Sequence, residues 1–188
     1  GEQGLVYAAG QFLNSMVGLA ARPQYSATRQ VVLAQASDVA SRFASAGAQL
    51  DTLQLAVRED LKTYVAEINQ LAQSVAGLNQ SIASMTGLGH SPNDLLDQRD
   101  QIIGELSDKV QLSTVEADDG SLTVFIAGGQ RLVLGAQAQT LVVTADPSDS
   151  SRVALGISES GFVRVLQDGE LGGGAVAGLL RFQNQDLV

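Results

Sequence analysis

The sequence has no cysteine and no tryptophan, and aromatic residues make up only 4% of its 188 positions. The absence of cysteine excludes disulfide bonds and thiolate metal sites. Positive charge is also scarce, with 11 Lys and Arg against 20 Asp and Glu and a net charge of −9. Nucleic acids and anionic membrane surfaces are bound through clustered Lys and Arg, so neither is an expected partner.

Long hydrophobic runs are missing as well. No apolar segment approaches the roughly 20 residues that a membrane-spanning helix needs. The opening GEQGLVYAAGQF lacks the basic region and the apolar core of a secretory signal. We therefore expect export, if it occurs, to use a route without a cleaved signal, or a signal that precedes this sequence.

A long stripe of apolar residues at spacings of three and four is the most informative pattern that is present. No proline lies between Pro23 and Pro92. The spacing predicts one helix from about Ser26 to Gly87, roughly 90 Å long at 1.5 Å per residue. Such a heptad-like stripe is typical of helices that pack against partner helices. The stripe consists of Val32, Ala36, Val39, Phe43, Ala46, Leu50, Leu53, Val57, Leu61, Tyr64, Ile68, Leu71, Val75, Leu78, Ile82 and Met85.

Other patterns on both sides complete the predicted fold. A short helix precedes Pro23, a third helix runs from Asn93 to Val110, and helical spacing returns after Gly174. Between them the apolar period changes to two, with turn signals that are typical of antiparallel hairpins. We predict an α+β protein, an elongated helical bundle with one very long helix and an antiparallel β-hairpin or meander subdomain. Its parts are a bundle (1–110), a β subdomain (111–169) and a return helix packing on the bundle (170–188).

The stretch between Ile68 and Asn93 contains no Asp, Glu, Lys or Arg. Uncharged amides and hydroxyls can hydrogen-bond a neighbouring subunit without the cost of desolvating ions. The alternative is that the rest of the chain covers this stretch. The candidate subunit-contact face consists of Gln73, Gln80 and Ser84.

Residues with catalytic or metal-binding chemistry are few. His90 is the only histidine and lies in a glycine-flanked turn, which favours a structural role. Asp94, Asp97 and Asp100 recur every three residues, which places three carboxylates on neighbouring parts of one helix face, as a metal site would need. Acidic residues at the start of a helix, with Arg99 nearby, are more often helix-dipole and ion-pair partners. We expect no enzymatic activity, no cofactor and no metal.

Two short motifs also favour structural interpretations. Gly172, Gly174 and Gly178 imitate a dinucleotide-binding fingerprint, but the last spacing is wrong and no βαβ unit precedes them. A glycine-rich hinge into a closely packed helix is the better interpretation. Asn79-Gln80-Ser81 matches an N-glycosylation acceptor but falls in the middle of a predicted helix, so we discount it.

Four segments, in order, resemble the bacterial flagellar hook-associated protein 1 family, the hook–filament junction proteins. They read QFLNSMVGLAARPQYSATRQVVLAQASDVASRF, VAEINQLAQSVAGLNQSI, NDLLDQRDQIIGELSDKV and ELGGGAVAGLLRFQNQDL. The most specific part is NDLLDQRDQ followed by a β segment and a glycine-rich return to helix. The resemblance implies a structural motif that orients the third helix, formed by Asn93, Asp94, Asp97, Arg99 and Asp100.

The resemblance also implies a function and a location. Members of this family are structural subunits that join hook and filament by protein packing, outside the cell, after export by the flagellar type III apparatus. The implied partners are the hook protein, the second hook-associated junction protein, copies of the protein itself and, for the full-length chain, an export chaperone. Terminal helices of the family would precede Gly1 and follow Val188, so this chain is expected to be a fragment without them.

Three other interpretations stay open at this stage. Another flagellar axial protein, the second junction protein or a flagellin relative, would also pair long helices with a β region, but would not carry NDLLDQRDQ. A coiled-coil adhesin stalk should show regular heptads that continue and trimerise. A hydrolase with a helical stalk would require convergent polar groups, and the sequence offers one histidine and no nucleophile motif.

Overall fold

The computed structural model describes residues 4–159 and 161–187, apart from the side chain of residue 168. Helix α2, Ser26–Gly87, runs for 62 residues without interruption, which confirms the very long predicted helix. Helix α3 ends one residue earlier than predicted, because Val110 is already extended and serves as its C-cap. The α-helices of the described ranges are α1 (Leu5–Ala21), α2, α3 (Asn93–Lys109) and α4 (Ala175–Arg181).

Two antiparallel sheets lie between α3 and α4 in the chain. The first has the strand order β1-β2-β3-β4 and the second β5-β6-β7, so each strand pairs with its neighbour in sequence. This arrangement confirms the predicted α+β class with antiparallel strands. The strands are β1 (Leu112–Glu116), β2 (Leu122–Ile126), β3 (Gln130–Leu134), β4 (Gln137–Ala138), β5 (Thr140–Ala145), β6 (Val153–Glu159) and β7 (Phe162–Val165).

The chain forms two compact units, Gly1–Leu53 and Gln54–Val188, and the division falls inside α2. The predicted boundaries at 110/111 and 169/170 follow changes of secondary structure, whereas the two units are separated by compactness. The predicted boundaries therefore stay a prediction. In the first unit α1 lies beside α2, and Leu5 lines a small pocket with Ala46 and Gln49. Ala8 is the one buried residue among those described in this unit.

The hydrophobic core lies in the second unit. Leu61, Ile68 and Val75 of α2 pack in one cluster with residues from α3, both sheets and α4. The apolar stripe is therefore core only in its second half, and its partners are largely strands rather than another helix. Val65 and Ala72, outside the predicted stripe, are also buried. A sheet covers a broader strip of a helix than one partner helix does, so the buried face is wider than a heptad seam.

The glycine run before α4 places two backbones in contact. Gly174 has φ +89°, and a Cβ there would lie 2.7 Å from the carbonyl carbon and oxygen of Lys109 and from the nitrogen of Val110. The Gln111 N–H donates to the Gly173 carbonyl at 3.0 Å. The structure agrees with a glycine hinge into a closely packed helix.

The return helix differs in its second half from the expected regular helix. It continues after Arg181 as a π-helical turn, Phe182–Asp186. The wider turn carries Gln183, which is buried and hydrogen-bonds to Val153 of β6. Local widening of a helix at a specific contact is a common use of π-helical turns.

Candidate interaction site on α2 and α3

The three residues of the candidate contact face, Gln73, Gln80 and Ser84, are all exposed on α2. The Ser84 hydroxyl donates to the Gln80 carbonyl at 2.9 Å, and the Ser81 hydroxyl donates to the Gly77 carbonyl at 3.1 Å. Both hydroxyls already donate to carbonyls of the same helix. A neighbouring subunit that covered them would therefore leave no donor without a hydrogen bond. The face is uncharged, and its glutamine amides can both donate and accept hydrogen bonds.

Asn79 lies on the opposite, inward side of the same stretch and is only 1% exposed. Its amide nitrogen donates to the carbonyls of Leu122 at 2.7 Å and Gly135 at 2.9 Å. Its oxygen accepts from the Leu122 N–H at 2.9 Å. The rest of the chain therefore covers part of the uncharged stretch, while Gln73 and Gln80 remain outside it.

Arg99 of α3 is a buried cation, 4% exposed. Its Nη1 donates to the Gly120 carbonyl at 2.6 Å and to Asn79 Oδ1 at 3.3 Å. The carboxylate of Glu116 lies 4.0 Å from Nη2, and Nε has no hydrogen-bond partner among the described groups. Arg99 thus connects α3 with α2 and with the turn between β1 and β2.

The other members of the implied motif, Asn93, Asp94, Asp97 and Asp100, are exposed. Asp94 lies in the first turn of α3, where a carboxylate complements the helix dipole. Asp97 and Asp100 are two and one residues from Arg99 and so lie on other faces of the helix. Within the described ranges, no group of three His, Asp or Glu side chains is arranged to hold a metal ion.

The turn between β1 and β2 rests against the end of α2. Gly120 has φ +80°, and a Cβ there would lie 3.2 Å from Ile82 Cγ2. Hydrogen bonds from the Ser121 side chain and N–H lower the pKa of the Asp119 carboxyl. In the turn between β5 and β6, Ser151 lowers the pKa of Asp149 in the same way. Each of these two carboxyls therefore stays ionised to a lower pH than an ordinary aspartate.

Sequence reasoning missed the buried roles of Asn79 and Arg99. In the sequence, Asn79 stands out only as the first residue of the Asn79-Gln80-Ser81 glycosylation pattern. Its position four residues after Val75 and three before Ile82 is a signal that could have placed it on the buried face. Arg99 carries the same signal, because it lies three residues after Leu96 and three before Ile102 on the apolar face of α3.

No helix within residues 4–159 and 161–187 is long and apolar enough to cross a membrane. The fold and the site define a class of α+β proteins built on one long helix, with two antiparallel sheets against its second half. Within that class the family can be stated. The chain belongs to the family described as the helical domain of the flagellar hook-associated protein FlgK, which it matches over residues 1–188.

Known relatives agree with this assignment. The chain is 32% identical over 179 residues to flagellar hook-associated protein 1 of Salmonella typhimurium, covering 94% of this chain and 32% of the relative. The corresponding Escherichia coli protein is 30% identical over 179 residues, with 94% and 33% covered. The solved structure of the flagellar hook junction protein FlgK from Burkholderia pseudomallei has a TM-score of 0.88 at 33% identity, covering 98% of this chain and 34% of that one.

The chain therefore spans about a third of the length of these relatives. The resemblance inferred from NDLLDQRDQ and its neighbouring segments is confirmed. The alternatives of a second junction protein, a flagellin relative and an adhesin stalk receive no support from these comparisons.

Proposed function

We propose that this chain is the helical part of a structural subunit that joins the flagellar hook to the filament by protein packing, without enzymatic activity. Family membership over the whole chain supports the proposal. So does the description of its relatives as hook-associated and hook junction proteins. A junction subunit transmits torque through its contacts, so the chemistry it needs is a set of packing surfaces.

The observation that carries the proposal is the apolar surface of the first unit. Burial of apolar side chains normally stabilises a helical unit, yet among the described residues of this unit one is buried and many large apolar side chains are exposed. A surface of this kind is stable when other subunits or segments cover it. The exposed side chains are Val6, Tyr7, Leu13, Met16, Val17, Tyr25, Val31, Leu33, Phe43, Leu50 and Leu53.

The proposed partners are the hook protein, the second hook-associated junction protein and copies of the same protein in the assembled flagellum. An export chaperone is proposed for the full-length chain, which would leave the cell through the flagellar type III apparatus and act outside it. The net charge of −9 supports the absence of nucleic acid and anionic membrane among the partners.

Deletion of the gene in the source bacterium tests the function directly. The expected strain is non-motile, carries hooks without filaments and releases filament protein into the medium, because filament subunits have no junction to assemble on. Electron microscopy of the hooks and immunoblots of the medium measure this result. Supplying the full-length gene should restore swimming. A deletion strain that keeps its filaments would contradict the proposal.

We further propose that Gln73, Gln80 and Ser84 form a contact between subunits. In the full-length protein, Gln73→Glu combined with Gln80→Glu should leave the fold intact, since both positions are exposed. It should impair swimming and release filament protein, because the interface would have to desolvate uncompensated charges.

The matched control is Ala56→Glu combined with Thr63→Glu. These positions are also exposed on α2 and seven residues apart, but they lie in its charged part, which includes Arg58, Glu59, Asp60 and Lys62. The control should swim normally. Normal swimming by the Gln73 and Gln80 double variant would show that its face meets only water.

A further inference from the structure

Asn69 and Asn79, ten residues apart on α2, each pair with both backbone groups of a single strand residue. The Asn69 amide nitrogen donates to the Leu141 carbonyl at 2.9 Å, and its oxygen accepts from the Leu141 N–H at 2.8 Å. Asn79 makes the same two bonds with Leu122, at 2.7 and 2.9 Å. A residue of an adjacent antiparallel strand makes this reciprocal pair of bonds.

The backbone groups of Leu141 have no strand to pair with on the side of Asn69, and those of Leu122 lie beyond the β2–β3 pairing, which begins at Val124. Leu141 belongs to β5, the edge strand of the second sheet. In an antiparallel ladder the N–H and C=O of one residue point to the same side, so those of Leu141 point away from β6. The residue is buried, and unpaired backbone groups there would cost free energy. Asn69 replaces the missing strand.

A third amide, on a different element, repeats the arrangement. Gln183, in the π-helical turn after α4, accepts from the Val153 N–H at 3.1 Å and donates to the Val153 carbonyl at 2.9 Å. Three side-chain amides from two parts of the chain thus pair with β2, β5 and β6. Because the same pairing occurs three times, it is a repeated way of joining helices to strands in this unit and not a single local contact.

We propose that Asn69 and Asn79 are positioning residues that fix the two sheets on α2 by substituting for a neighbouring strand. Ten residues along a helix separate the two docking points by about 15 Å. At neutral pH a side-chain amide offers one donor and one acceptor side by side, whereas a carboxylate lacks the donor and an ammonium lacks the acceptor. This requirement gives an internal reason for the lack of charge at these two positions.

The variant Asn69→Asp tests the proposal, because a protonated carboxyl has the shape and the hydrogen-bonding groups of the amide and a carboxylate does not. The described hydrogen bonds of the Asn69 side chain both join it to the Leu141 backbone, so none of them comes from a cation. The native fold favours the protonated form, which raises the carboxyl's folded pKa. The stabilisation by the protonated carboxyl is fully present below the pKa of the unfolded state, about 4. It is lost as the pH rises through the pKa of the folded state.

Denaturant unfolding of parent and variant at pH 4 and pH 7 provides the measurement. Comparing the variant with the parent at each pH removes the effect of the other titrating groups. Relative to the parent, the unfolding constant of Asn69→Asp should be nearly unchanged at pH 4 and about 10- to 100-fold larger at pH 7. If the variant does not fold at pH 7, folding at pH 4 is the expected result. Failure at both pH values, an equal deficit at both, or no deficit at either overturns the proposal.

Three control variants separate positioning from packing. Asn69→Leu has no titrating group, so its deficit should be the same at both pH values. Gln73→Asp is exposed and should show no pH-dependent difference from the parent. Asn79→Asp should depend on pH less than Asn69→Asp, because Nη1 of Arg99 lies 3.3 Å from Oδ1, the oxygen that both side chains have, and would stabilise the carboxylate.

Discussion

Replacement of Gly174 by alanine should destabilise the chain by about 3 kcal/mol or more, a large loss for one methyl group. The added Cβ would lie 2.7 Å from backbone atoms of Lys109 and Val110, which cannot rotate away as a side chain could. The positive φ of this position adds strain for any residue with a Cβ. Overpacking and a left-handed backbone each cost about 1–3 kcal/mol.

Gly178 provides the matched control, four residues further on. It lies inside α4, and a Cβ there would meet nothing within 4 Å. Gly178→Ala should therefore stabilise the chain by about 0.5–1 kcal/mol through helix propensity. Denaturation midpoints of both variants and the parent measure the difference. Equal, small effects of the two substitutions would show that α4 can move away from the end of α3.

Ile68→Ala should destabilise the chain by about 2–5 kcal/mol, because the side chain is 0% exposed and lies in the main core cluster. Its removal leaves a cavity among residues of α2, α3 and the sheets. Chemical denaturation with an unchanged m-value would measure this loss as a change in stability. The effect is large relative to the 5–15 kcal/mol that stabilises a typical domain.

Phe43→Ala is the comparison within the same apolar stripe. Phe43 is 59% exposed, so its truncation should cost the isolated chain under about 1 kcal/mol, although it removes more atoms. In the assembled flagellum the ranking of the two losses should change, because we propose that the apolar surface of the first unit, which includes Phe43, is covered there. A cost for Phe43 equal to that for Ile68 in the isolated chain would show that the whole stripe is core.

The two sides of the uncharged stretch have different consequences for assembly. Asn69 and Asn79 turn their amides toward the chain's own strands, whereas Gln73 and Gln80 leave theirs exposed. Variants on the inward side should change stability, and variants on the outward side should change assembly. Comparing the unfolding constant with swimming for the same substitutions separates these effects.

The sequence by itself determined the elements and the family. The long helix follows from local physics, since 62 residues without proline keep helical hydrogen bonds and an apolar period of three and four. The strands follow from a period of two between turn residues. NDLLDQRDQ and its neighbouring segments identified the family because a specific string in a specific order needs no geometry to be recognised.

Only the tertiary structure decided which half of the apolar stripe is core and what the buried polar residues pair with. Asn69 and Leu141 are 72 residues apart in sequence, and Asn79 and Leu122 are 43 apart. Arg99 is buried by a turn that follows it by about twenty residues. Periodicity reports which residues share a face of a helix, but what covers that face depends on contacts between distant segments. Spacing can place a polar residue on the buried face, but the backbone groups that pair with it are known only from the tertiary structure.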